Sequence, residues 1–275
     1  MFQSLKIGRL LGIDVYLHGT FWLLPLFVLL GGATGPHGVA LDLAVLFAVF
    51  GCVALHELGH AVAAGWFGIR TRDITLSPIG GVARLENVPD KPWPEIVIAL
   101  AGPAVNVVIA AFLGAVMLFD GVSVGRSLGG GSFLEAFFAR LLIANAFLVL
   151  FNLIPAFPMD GGRVFRAGMS LFVGREPATE LATILGSVLA VGFVLGGFYL
   201  MNPMLALIGV AVFLMGRAEL AAVRYQEEQK RHAARWRHAF DWVEPRIPVA
   251  RPVRRPAGGW EWDAVNQRWT LYRSV

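Results

Sequence analysis

Cysteine is almost missing from this chain: Cys52 stands alone among 275 residues. No internal disulfide can form, which excludes a disulfide-stapled secreted scaffold and fits a cytoplasm-facing or in-membrane site. Charge is scarce as well. Asp, Glu, Lys and Arg make up 15% of the residues, against about 25% in a soluble domain. With 56% hydrophobic residues and a mean hydropathy of +0.64, too few polar side chains remain to coat a water-soluble surface. Internal repeats are absent, so solenoid architectures are excluded. The composition is that of an integral membrane protein.

The charge that is present is unevenly placed. Up to Gly216 there are 11 Lys/Arg and 12 Asp/Glu; from Arg217 onward there are 12 and 7. The net charge of +4 therefore resides in the C-terminal tail. A basic tail beside a span marks a cytoplasmic segment near anionic lipid. No nucleic-acid-binding motif accompanies it, so nucleic acid is not an expected partner.

Six apolar segments stand out, near residues 15–30, 41–67, 93–119, 133–154, 181–200 and 203–215. Several approach the ~20 residues a membrane-spanning helix needs. The first follows Lys6 and Arg9 as a signal peptide would, but its apolar run is long for one and it is read as retained. With the N-terminus inside, the inner segments hold Lys6, Arg9, Arg70, Arg72, Arg84, Lys91, Arg163, Arg166, Arg175 and the tail, whereas the outer loops hold only Arg126. This asymmetry predicts a multi-pass protein of the cell (inner) membrane with both termini in the cytoplasm. Arg140 lies in the outer part of the fourth span, with Glu135 as its candidate partner.

Residues 70–87 alternate apolar Ile74 and Leu76 with Thr75 and Ser77, and Gly80-Gly81 supply a turn. This predicts a short β-hairpin at the membrane surface. The tail reads as a charged helix over 218–242, a Pro/Arg-rich linker over 245–259 and a Trp-rich terminal segment. The expected fold is an all-α polytopic membrane protein with about six transmembrane helices, the surface hairpin and a cytoplasmic tail. Its two regions are 1–216, the membrane domain, and 217–275, the tail.

The second span carries His56-Glu57-Leu58-Gly59-His60. Histidines four apart on a helix share a face, so His56 and His60 can bind one metal ion with Glu57 beside it as a base. An ionisable cluster at this depth is expensive and marks function. A catalytic zinc usually takes three protein ligands and keeps one position open. Asp160 is the candidate third. It follows Asn152-Leu-Ile-Pro155-Ala-Phe-Pro158, whose prolines break the helix at the inner end of the fourth span. The second and fourth spans run in the same direction, so all three ligands can meet near the cytoplasmic side. One Zn2+ per chain is the expected cofactor. Cys52, one turn before His56, is read as a packing residue, and His18, among Tyr16, Phe21 and Trp22, as an interfacial anchor. Asn106 and Asn152 are amides on apolar spans, so each should have a defined partner. The Gly80-Gly81 hairpin is a candidate to add a strand to an unwound substrate.

These residues resemble the site-2 protease family of intramembrane zinc metalloproteases. His56-Glu57-Leu58-Gly59-His60 matches its zinc-helix motif, Asn152-Leu-Ile-Pro155 followed by Asp160-Gly161 matches its second motif, and Gly102-Pro103-Ala104-Val105-Asn106 is similar to its third-span element. The resemblance covers roughly residues 7–215. It implies hydrolysis of peptide bonds in or near transmembrane segments of single-span membrane proteins. Glu57 would take a proton from water and return it to the leaving amine. It also implies that Asn106 faces the site and holds the substrate backbone or the oxyanion. Neither an inserted PDZ domain nor a C-terminal CBS pair, common in relatives, is present, which leaves the regulation open; the tail is a candidate either to inhibit the enzyme or to recruit a regulatory protein. The alternatives are a zinc transporter, which needs ligands spread along a path, and a proteolytically silent scaffold, which the presence of Glu57 disfavours.

Overall fold

The computed structural model describes residues 4–31, 37–78, 80–86, 91–241, 259–263 and 266–272. It divides into two compact units, Met1–Glu227 and Glu228–Val275.

The first unit opens with antiparallel strands β1 (Leu5–Leu10) and β2 (Ile13–Leu17), then a 3-10 turn (Gly19–Trp22) and helix α1 (Leu23–Gly31). The first expected span is thus divided. Buried Val15 and Leu17 alternate with less buried Asp14 and Tyr16, a period of two that belongs to a strand. The helix left over is shorter than the ~20 residues of a span. His18, expected as an interfacial anchor, caps the 3-10 turn, with Nδ1 2.7 Å from Thr20 Oγ1.

Helix α2 (Gly38–Trp66) leads into strands β3 (Thr71–Ser77) and β4 (Gly80–Leu85). The expected hairpin is present but forms only the outer half of a four-stranded sheet ordered β1-β2-β3-β4; residue 87 of that hairpin lies outside the described residues. Strand β2 runs parallel to β3, with Val15 beside Ile74. The chain therefore leaves the sheet at the end of β2 through α1 and returns along α2 to the end at which β2 began. Lys6 and Arg9 consequently share a sheet with Arg72 and Arg84. The inner face of the sheet buries Val15, Leu17, Ile74 and Leu76, together with Phe21, against Phe50, Val53, Ala54 and Leu58 of α2.

The remaining helices are α3 (Pro92–Phe119), α4 (Val124–Gly130), α5 (Phe133–Asn152), α6 (Asp160–Val173), α7 (Arg175–Tyr199) and α8 (Pro203–Asp241). Pro92 opens α3, where its missing N–H costs no helical bond. A capping box between Ser132 and Glu135 starts α5. Glu135 is therefore spent on the helix terminus, and the partner of Arg140 is Asp42 of α2, at 2.5 Å. The expected last span and the expected charged helix after it are one helix, since no proline interrupts residues 204–241.

Among the described residues, α2, α3, α5, α7 and α8 are long and apolar enough to cross a membrane. Their outer surface carries apolar side chains such as Leu118, 81% exposed, and Phe119, 93% exposed. Such a surface suits lipid rather than water. The protein is a multi-pass membrane protein.

In the second unit, β5 (Gly259–Asp263) and β6 (Arg268–Tyr272) form an antiparallel hairpin in which Trp262 faces Trp269, ring centroids 5.5 Å apart. The expected linker falls almost entirely on residues 242–258, outside the described residues.

Candidate metal centre

The site begins with a seam of small residues. Gly59 of α2 faces the backbone of α3 so closely that a Cβ there would stand 2.8 Å from the Ala101 carbonyl oxygen. Ala63 and Ala64 bury against Ile98 further along. Small residues let two helix backbones approach, and this approach places a complete face of α3 beside the histidines. Ile98, Gly102 and Asn106 recur every four residues, as His56 and His60 do, and the helices run antiparallel. His60 Nδ1 lies 2.7 Å from the Ile98 carbonyl oxygen, and His56 Nδ1 lies 2.7 Å from Asn106 Oδ1. Gly102 stands between them; a Cβ there would collide with both imidazoles.

The third side chain comes from α6. After Asn152 the chain turns through residues 153–159, where Pro155 prevents α5 from continuing. Asp160 then opens α6, an end of the helix that favours an acid. Gly161 and Gly162 are glycines for steric reasons: a Cβ on the first would collide with the Leu153–Ile154 backbone, and on the second would lie 2.6 Å from the Ala156 carbonyl. Asp160 Oδ2 lies 3.1 Å from His56 Nε2 and 3.2 Å from His60 Nε2, and the two Nε2 atoms are 3.1 Å apart. All three residues are buried.

The protonation of this cluster follows from its surroundings. The Leu141 carbonyl accepts from Asn145 Nδ2 at 2.8 Å, which fixes Asn145 Oδ1 as an acceptor. Asn106 Nδ2 donates to that oxygen at 2.9 Å, which fixes Asn106 Oδ1 as an acceptor in turn. His56 must then carry its proton on Nδ1, and the Ile98 carbonyl imposes the same tautomer on His60. With Nδ1 engaged in both rings, Nε2 is the nitrogen each histidine turns toward the Asp160 carboxylate. A proton or a metal ion among these atoms would hold such a set together. A tetrahedral zinc bonded at about 2.0–2.1 Å would set its ligands about 3.3 Å apart, close to the separations found. The residues fit a zinc ion, and among the described residues this is the one group of three that could hold a metal.

Glu57 is half-buried on the neighbouring face of α2 and reaches the sheet rather than the cluster's back wall. The Ala83 N–H donates to Glu57 Oε2 at 3.1 Å. Gly81, two residues earlier on β4, faces the same side chain; a Cβ there would stand 2.5 Å from Glu57 Cγ. The two glycines singled out from the sequence therefore differ. Gly81 makes room for Glu57, while Gly80 takes the turn, with φ at +136°.

The two asparagines also part ways. Asn106 is fully buried, and its amide is engaged by His56 on one side and Asn145 on the other. That places it behind the histidine. Asn152 gives its amide to the Leu148 carbonyl of its own helix at 3.0 Å. Sequence reasoning missed Asn145, although an amide within an apolar span was a signal. Cys52, expected as a packing residue, is buried with Leu113 and Leu141, and its Sγ lies 3.4 Å from Asn145 Nδ2.

Residues 44–133 and 130–196 match the profile of peptidase family M50, over more than half of the chain. The chain belongs to that family, which is that of the site-2 proteases its motifs resemble. It is 36% identical over 227 residues to a zinc metalloprotease of Methanocaldococcus jannaschii, covering 82% of this chain and 63% of that protein. It is 29% identical over 153 residues to the stage IV sporulation protein FB of Bacillus subtilis, covering 55% of this chain and 46% of that protein. The chain thus spans less than two thirds of the length of either relative. Among solved structures, the site-2 protease from Methanocaldococcus jannaschii superposes with a TM-score of 0.57 at 31% identity, covering 79% of this chain and 95% of that one.

Proposed function

We propose that this chain is a zinc-dependent intramembrane endopeptidase that hydrolyses peptide bonds in or near transmembrane segments of single-span membrane proteins. The observation that carries the reading is the convergence of three metal-ligating side chains, His56, His60 and Asp160, beside Glu57. His56, His60 and Asp160 would hold the metal. A zinc ion there supplies Lewis acidity and lowers the pKa of water.

The chain's own residues do the rest. Glu57 accepts a proton from the attacking water and passes it to the departing amine. Asn106 and the Ile98 carbonyl hold the imidazoles in the tautomer that presents Nε2 to the metal. Strand β4 is an edge of the sheet and lies against Glu57. An extended segment of substrate added to that edge would bring an unwound peptide bond to the base.

Lipid bilayer surrounds the five apolar helices. The charge distribution supports the inner membrane with both termini in the cytoplasm, residues 1–216 as the proteolytic region, and the tail as the segment a regulatory protein would engage.

The test is a paired membrane proteome of cells carrying the wild-type protein or Glu57→Gln. Single-span proteins that stay intact only with Glu57→Gln, with matching fragments in wild type, are expected. Identical proteomes, from preparations holding one zinc per chain, would overturn the proteolytic reading.

A further inference from the structure

Arg166 is buried, 2% exposed, two turns along α6 from Asp160. A charge so placed in an apolar bundle requires partners, and it has three. Its Nε donates to Glu95 Oε1 at 2.7 Å, its Nη1 donates to Glu219 Oε1 at 2.8 Å, and its guanidinium lies 4.9 Å from the ring centroid of Phe157. Each partner belongs to a different part of the site's frame. Glu95 is in the first turn of α3, one turn before Ile98, whose carbonyl fixes His60. Phe157 lies in the segment that delivers Asp160. Its carbonyl oxygen fits against Gly186 of α7, where a Cβ would collide, and is 3.4 Å from the position of a Cβ on Gly216 of α8. Glu219 lies on α8, the helix that continues into the basic tail.

We propose that Arg166 is a positioning residue for Asp160: with Glu95, Glu219 and Phe157 it clamps α6 and the preceding segment between α3 and α8, setting the approach of the third ligand to the histidines. Three elements meet at this one guanidinium, and its fork matches two carboxylates at once, a geometry lysine lacks. A displacement of α8 at Glu219 is thereby transmitted to Asp160. This inference rests on the metal reading of the His56–His60–Asp160 cluster.

The test uses the purified full chain in detergent, stripped of metal and titrated with Co2+, whose visible spectrum reports the number and geometry of its ligands. Arg166→Lys and Glu219→Gln are expected to weaken Co2+ binding by roughly tenfold or more, in line with loss of groups that orient ligands. They should also alter the visible bands while keeping the wild-type circular dichroism at the assay temperature. Glu219→Asp, which keeps the charge, should restore much of the affinity. Arg224→Gln is the control, because it breaks an α8 pairing with Glu176 and Glu180 that includes neither Arg166 nor Asp160. Wild-type affinity and spectrum in both Arg166→Lys and Glu219→Gln would overturn the inference and leave the metal reading standing. Equal weakening in Arg224→Gln would assign the effect to general loosening and also overturn it. Failure of the wild type to take up Co2+ would overturn both.

Discussion

Glu57 and Ala83 are 26 positions apart in the chain, yet the backbone N–H of Ala83 donates to the carboxylate of Glu57 at 3.1 Å. The candidate base is thereby tied to the edge strand rather than left to rotate on its helix. A sheet outside the spans and a residue inside one form a single working surface.

Ala83→Pro removes that donor and leaves the ligands untouched. Proline is tolerated on an edge strand, so the sheet should persist. Cleavage of a single-span substrate in reconstituted vesicles is expected to fall roughly tenfold or more, within the range general-base positioning commands, while zinc content stays at one per chain. Equal loss of zinc and activity would show that β4 supports the cluster, not the base.

Asn106→Ala removes the acceptor that fixes the His56 tautomer and strands the Asn145 amide partner. Loss of a group behind a metal ligand costs about 10–100-fold in metal affinity, and a buried polar group left unpaired costs about 1–3 kcal/mol. Competition with a chelator should show the first and a lower melting temperature the second. Asn106→Asp, which still accepts from His56 Nδ1, should bind zinc more tightly than Asn106→Ala.

Gly102→Ala puts a methyl group where both imidazoles lie. Overpacking of this kind costs about 1–3 kcal/mol, and here the groups that must yield are the ligands. Zinc content measured by atomic spectroscopy is expected to drop well below one per chain. Gly114→Ala, on the same helix with open space around it, should retain full occupancy.

Metal removal should separate the ligands from the base. Treatment with a chelator is expected to abolish cleavage, with activity returning on addition of zinc. Glu57→Gln should bind zinc as the wild type does and remain inactive with zinc present. Glu57→Gln protein that cannot hold zinc would place Glu57 among the ligands.

Several features were legible in the sequence because they are local or periodic. The four-residue spacing of His56 and His60 is a helix-face statement, and the prolines after Asn152 announce the break that frees Asp160. Apolar runs of span length appear directly, and the alternation around Ile74 and Leu76 with the glycines after it marks a hairpin. By itself the sequence determined a membrane protein with a two-histidine helix, an adjacent acid and one candidate third ligand, since periodicity and hydropathy act within a segment. Only the tertiary structure decided the rest. That Ile98, Gly102 and Asn106 form the wall behind the histidines depends on how closely α2 and α3 pack. The fates of β2, Arg140 and Arg166 were set by partners 59, 98 and 71 positions away. Strand pairing, ion pairing and close helix approach are relations between segments, and no single stretch of sequence carries them.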